Sequence, residues 1–250
     1  MTYQHILYDV SEQIATITIN RPENSNAYIP DMGDEIVAAF RAAEKAKGVR
    51  AVILTGSGDK IFCAGADKVY LQQPLPEGVR VIGEEELIQS YPLELAHFPK
   101  PTIAAYNGHT LGIGMTMTLP CDMRIAAAGI KMGLVFSKLG ILLGLGSTHL
   151  LPNIVGMAKA QELVMTARIF MSEEAAEMGL VNKVVPREQL MNEARAMAQL
   201  CVGCEPTTLT FAKRALHYGV SVSLREAMEN EKKMVIELAN AKAALKAEKE

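Results

Sequence analysis

Two apolar runs, each leading into a glycine-bearing turn, constrain this chain more than any other feature. The first run is Val49 to Thr55, followed by Gly56-Ser57-Gly58-Asp59 and then by Phe62-Cys63-Ala64-Gly65-Ala66-Asp67. The second is Thr102 to Tyr106, followed by Asn107-Gly108-His109-Thr110-Leu111-Gly112-Ile113-Gly114. A short unbroken apolar run suits a strand buried on both faces. Strands of this kind alternating with helical stretches imply βα units and parallel pairing, an α/β fold. A glycine turn can also leave a backbone N–H unpaired. Two such groups aimed at one point would stabilise an oxygen that gains negative charge.

The rest of the chain agrees with this reading. Ile6-Leu7-Tyr8 and Ile14 to Ile19 alternate and carry β-branched residues, so they read as strands, and Met123 to Ala127 reads as another. Pro30-Asp31-Met32 opens a helix to about Lys47, with Ile36, Val37, Phe40 and Ala43 on one face. Gln72 to Pro101 is rich in Pro and Gly; it reads as a loop followed by a helix from Glu84 to His97. A helix is expected from Gly112. Helical period then dominates over 158–166, 172–178, 187–201, 206–218 and 223–246, with Ser172-Glu173-Glu174 as an N-cap and acidic first turn. Periodicity alone also fits a doubly wound sheet.

Bulk properties exclude several classes. The 250 residues, 49% hydrophobic, are enough for one sizeable core with or without a helical appendage. Twenty-five Lys and Arg against 28 Asp and Glu leave no global field favouring nucleic acid or an anionic membrane. The first twenty residues do not read as a secretory leader, and no stretch reaches the roughly 18 uninterrupted apolar residues of a membrane span. Cys63, Cys121, Cys201 and Cys204 do not form a disulfide framework, which points to the cytoplasm. Cys201-Val-Gly-Cys204 lacks a second cysteine or histidine pair, so a structural role is expected and no metal site.

Taken in order, with Asn20-Arg21-Pro22 upstream and Gly179-Leu180-Val181-Asn182-Lys183-Val184-Val185 downstream, the two turns resemble those of the crotonase superfamily, the enoyl-CoA hydratase/isomerase family. The first is similar to F-x-A-G-A-D and the second to N-G-x-x-x-G-G-G. The resemblance spans nearly the whole chain. It implies a crotonase-type ββα spiral over 1–190 carrying an acyl-CoA site. It also implies a C-terminal helical region over 191–250 that packs in a homotrimer or a hexamer of two trimers. By the same resemblance, the amides of Ala66 and Ile113 are the two oxyanion donors. Ala64, Ala66, Asp67, Lys68, Val69 and Ile113 contact the CoA thioester, which is substrate rather than cofactor, and the helix after Gly112 adds partial positive charge. The expected partner is an acyl-CoA or acyl-carrier thioester, with no nucleic acid and no membrane.

The chain departs from the family pattern where acids are expected. Hydratases of the family carry glutamates at the positions matching Thr116 and Phe136, and some isomerases an aspartate at the position matching Gly144. Hydration needs a base for water and an acid for the α-carbon, which Thr116 and Phe136 do not provide. The remaining proton-transfer candidates are Thr116, Lys68, His109 and His149, with Glu94 and His97 on the expected lid helix. The expected reaction is therefore double-bond isomerisation through a thioester enolate. A decarboxylase, which needs no base and would use an apolar pocket near Leu134, Phe136, Leu142 and Leu143, is the second expectation. A non-catalytic acyl-thioester binding subunit is the third. Asp67 is expected to cap or hold the turn, and Lys213, Lys242 and Lys246 either meet a CoA phosphate or lie on a solvated helix face.

Overall fold

The computed structural model describes residues 2–72 and 74–247; the last three residues of the tail fall outside it. Among the described residues, ten strands divide between two sheets. The larger contains β1 (Ile6–Ser11), β2 (Ile14–Ile19), β3 (Ala51–Gly56), β5 (Thr102–Tyr106), β7 (Met123–Ala127) and β10 (Lys183–Val185), in that order across the sheet. Only β1 and β2 are antiparallel, and every later neighbour is parallel. The smaller contains β4 (Ile61–Cys63), β6 (His109–Leu111), β8 (Lys131–Gly133) and β9 (Ile169–Met171), parallel except for the last pair. The chain passes from the large sheet to the small one three times, from β3 to β4, β5 to β6 and β7 to β8. That alternation makes a spiral rather than a doubly wound sheet.

The helices are α1 (Pro30–Lys45), α2 (Glu86–Gln89), α3 (Tyr91–Ala96), α4 (Ile113–Thr116), α5 (Ser147–Val155), α6 (Met157–Thr166), α7 (Ser172–Glu177), α8 (Leu190–Val202), α9 (Pro206–Gly219) and α10 (Leu224–Ala247). The core lies between the large sheet and the helices against it. All six residues of β3 are buried, as the unbroken apolar run required, and α8 packs on β3, β5 and β7. Helix α1 buries Ile36, Val37, Phe40 and Ala43, its expected face, and packs on β1 and β2. Helices α9 and α10 pack on each other.

Several local expectations are corrected. The helix expected over 84–97 is two short ones, broken at Ser90, whose φ of −133° is non-helical. Pro92 then takes the opening turn of α3, where its missing N–H costs nothing. The helix after Gly112 is a single turn, so its dipole is weak. Ser172 is not an N-cap: pairing of β9 with β8 carries it into the helix, where its N–H donates to Ile130 O at 3.0 Å. His109 to Leu111, read as part of a turn, is strand β6.

Candidate functional site

The two glycine turns lie side by side because β4 and β6 pair. A Cβ built on Gly112 would lie 3.8 Å from Gly65 Cα, with Val135 and Phe136 at about the same distance. Both glycines have positive φ, +103° at Gly65 and +53° at Gly112, which a side chain would strain.

The direction of the Ala66 amide is set by Tyr28. Tyr28 N–H donates to Gly65 O (2.8 Å), and Asp67 N–H donates to Tyr28 O (2.9 Å). In a planar trans peptide the N–H points opposite to the carbonyl. Gly65 O faces Tyr28, so Ala66 N–H faces away from it. The same argument holds at the second turn. Gly112 O accepts from Met115 and Thr116 N–H (3.0 and 3.2 Å), so Ile113 N–H points out of the helix start. Among the described residues neither Ala66 N–H nor Ile113 N–H has a hydrogen-bond acceptor. Ala66 is exposed, whereas Ile113 is buried.

The first turn is braced from upstream. Arg21 pairs with Asp67 (3.1 Å) and donates to Ala27 O, while Asn26 donates to Ser57 O and Ile61 O. Asp67 also accepts from Val69 N–H at 3.4 Å, so its carboxylate holds the turn as expected of a cap. The amides of Ala64, Asp67 and Val69 are all engaged within this region, Ala64 N–H with Ser25 O. Lys68 is exposed and has no ion-pair partner among the described residues.

The proton-transfer candidates are dispersed. Thr116 is 1% exposed, and its hydroxyl donates to Ile113 O at 3.4 Å, within its own helical turn. His109 Nδ1 accepts from Lys131 N–H (3.0 Å); burial and the nearby Lys131 and Arg187 charges push its pKa down. It is a structural acceptor on the β6–β8 edge. His149 lies exposed on α5, where Asn153 Nδ2 donates to its Nε2 (3.1 Å). It lines a cleft of about 440 Å³ between α5 and α9 and one of about 600 Å³ between α5, α9 and α10, and neither is lined by Ala66, Ile113 or Phe136. The structure thus does not bring His149 to the turns. Glu94 is held by Arg41 (2.6 Å), whose hydrogen bond lowers its pKa, and His97 Nδ1 donates to Leu93 O. Phe136 lies against Gly112, so an aromatic ring stands beside the second turn.

Other expectations are resolved on the same page. Lys213 neither faces solvent nor stands free, because it forms a half-buried pair with Asp122 (3.0 Å) over the Phe98 ring. Lys242 pairs with Glu205 (3.1 Å). Cys201 and Cys204 are free thiols, and no metal-ligating cluster occurs among the described residues. Tyr28 and Glu85 were not legible as site residues: one replaces nothing recognisable locally, and the other sits in a run of three glutamates.

The family model described as Enoyl-CoA hydratase/isomerase matches residues 9–249. The chain belongs to the enoyl-CoA hydratase/isomerase family. Within that family it is 37% identical to crotonyl-CoA hydratase of Syntrophomonas wolfei, over 92% of this chain and 88% of that protein. It is 36% identical to the short-chain-enoyl-CoA hydratase of Clostridium acetobutylicum, over 91% and 87%. The crystal structure of enoyl-CoA hydratase from Bacillus anthracis superposes with a TM-score of 0.83 at 32% identity, covering 93% of this chain and 90% of that one. A Geobacillus kaustophilus enoyl-CoA hydratase structure gives 0.86 at 31%, covering 95% and 91%. The spiral with its C-terminal helices is that of the crotonase superfamily.

Proposed function

We propose that this enoyl-CoA hydratase/isomerase family member binds an acyl-CoA thioester with its carbonyl oxygen between the amides of Ala66 and Ile113, and that the reaction runs through the enolate. The observation that carries this is the pair of unpaired N–H groups on two neighbouring turns, so close that a Cβ on Gly112 would touch Gly65. Each donor of such a pair is worth about 3 kcal/mol of transition-state stabilisation. Lys68, Ala64, Asp67 and Val69 border the first donor, where the CoA portion would lie. With the amides of Ala64, Asp67 and Val69 engaged, that stretch offers a ligand the Lys68 ammonium.

The reaction we propose is double-bond isomerisation. Hydration is disfavoured by a threonine that bonds its own helix, and a phenylalanine, where the family's hydratases carry glutamates. The proton that leaves one carbon and the proton added at the other pass through Lys68, the candidate that borders the first donor and has no ion-pair partner among the described residues. Solvent deuterium entering the α or γ carbon of a 3-enoyl-CoA is the expected result. The second reading is hydration, favoured by the names of the relatives at 36 and 37% identity. Turnover of crotonyl-CoA at the rate of a two-glutamate hydratase would replace the first reading with the second, and CO₂ release from a malonyl-type thioester would replace both. We also propose a core over 1–190 and a helical region over 191–250 that assembles as a homotrimer or hexamer in the cytoplasm. Support comes from Leu216, Val220, Leu224, Val235 and Ile236, all left exposed on α9 and α10. Sedimentation as a monomer would sink the assembly.

A further inference from the structure

Glu85 is a carboxylate at 0% exposure, and its placement is unexplained by the chemistry above. One oxygen accepts from the Tyr28 hydroxyl (2.6 Å), the other from Gly83 N–H (2.7 Å). A buried charged group is costly unless its hydrogen bonds are met, and breaking them costs more than they contribute. Tyr28 is itself at 0% exposure. Its hydroxyl lies where any side chain on Gly33 would be, 2.2 Å from a Cβ built there. A glycine on α1 thus makes room for a tyrosine hydroxyl whose partner comes from the segment before α2.

That segment is fastened to α1 by charge as well. Arg80 pairs with Asp34, Glu86 N–H donates to Asp34, and Arg41 holds both Glu86 and Glu94. These ion pairs are exposed or half-exposed and each contributes little alone. The Glu85–Tyr28 bond is the buried one, and it joins the segment to the residue whose main chain orients the Gly65–Ala66 peptide.

We propose that Glu85 is a positioning residue for the first oxyanion donor: it anchors the Tyr28 ring, and the Tyr28 main chain holds Gly65 O and Asp67 N–H so that the Ala66 N–H points at the thioester oxygen. This deepens the reading of Ala66 and Ile113 as a donor pair and rests on it. Glu85 does not touch substrate. Leucine at this position offers no acceptor to either donor, so Glu85→Leu loses both bonds at similar volume, whereas glutamine keeps both by donating its amide N–H to the Tyr28 hydroxyl oxygen. Tyr28→Phe removes the hydroxyl and leaves the main chain otherwise able to pair.

The test reads polarisation, not only rate. Butyryl-CoA labelled with ¹³C at the carbonyl is bound to the wild-type protein and to each variant, and the thioester C=O stretch is recorded by infrared difference spectroscopy. The wild type shifts the band to lower frequency. Glu85→Leu and Tyr28→Phe lose about half of that shift or more and about tenfold in kcat, while their Kd for butyryl-CoA stays within about threefold of wild type. Glu86→Gln, in the same segment but exposed and away from Tyr28, keeps the full shift. If the single variants do not fold, the Tyr28→Phe/Glu85→Leu double variant leaves no buried side-chain oxygen unpaired and is measured in their place. A full band shift in folded Tyr28-side or Glu85-side variants overturns the positioning role while leaving the donor pair intact. Absence of any shift in the wild type overturns the donor pair, and the positioning role with it.

Discussion

Replacing Ile113 by proline deletes one proposed donor without touching any other hydrogen bond. Ile113 is the first residue of α4, and its N–H has no acceptor among the described residues. Proline is well accepted at that helical position. The preceding residue is Gly112, which has no Cβ to meet the proline ring. The structural cost is therefore confined to the side chain, which is 7% exposed. Losing part of a buried isoleucine costs about 1–2 kcal/mol of stability. Ile113→Val is the control: it loses about 1 kcal/mol for the missing methylene and keeps the amide. The catalytic cost is separate, about 3–4 kcal/mol or ~10²–10³ in kcat for one lost donor. The assay is the rate of deuterium uptake into a 3-enoyl-CoA in D₂O, with thermal unfolding measured in parallel. The valine variant is expected to run near the wild-type rate and the proline variant ~10²-fold or more below it. If the folded proline variant works within about threefold of the valine variant, the amide at 113 does not bear the developing charge.

Three further outcomes are expected. Gly112→Ala forces a side chain into φ +53° against Gly65, Val135 and Phe136, and should cost about 1–2 kcal/mol in urea unfolding together with a fall in kcat. Lys213→Met leaves Asp122 with Thr102 as its remaining partner, and should lower stability by about 2 kcal/mol with the thioester band shift unchanged. His109 has its pKa pushed down by burial and two nearby cations, so the unfolded chain takes up its proton first. The stability His109 contributes as a neutral acceptor is then full above about pH 6.5 and is lost as pH falls below it. His109→Asn, which keeps an acceptor for Lys131 N–H but does not titrate, should flatten that part of the fall in urea midpoint between pH 7 and pH 5.

How legible each element was follows from how local its cause is. β3 and β5 were readable because an unbroken apolar run has few other uses, and α1 because its apolar face recurs over sixteen residues. Strands β4, β6, β8 and β9 are three residues each, too short to display a period of two, so the small sheet was invisible. The split of α2 from α3 depends on one non-helical residue, Ser90, inside an otherwise helical pattern. Lys213 looked like a solvated cation because Asp122, its partner, lies 91 residues away.

From the amino-acid order alone came the two glycine-bearing turns, the likeness to one family and the missing acids at 116 and 136. These are local matters of backbone freedom and residue type. Only the folded molecule decided which amides stay unpaired, because that depends on where other strands spend their hydrogen bonds. Tyr28, far from Gly65 in the chain, turns the Ala66 N–H outward by occupying the opposite face of the same peptide. Glu85 takes its meaning from burial beside Tyr28, 57 residues away, and no pattern near either residue announces it.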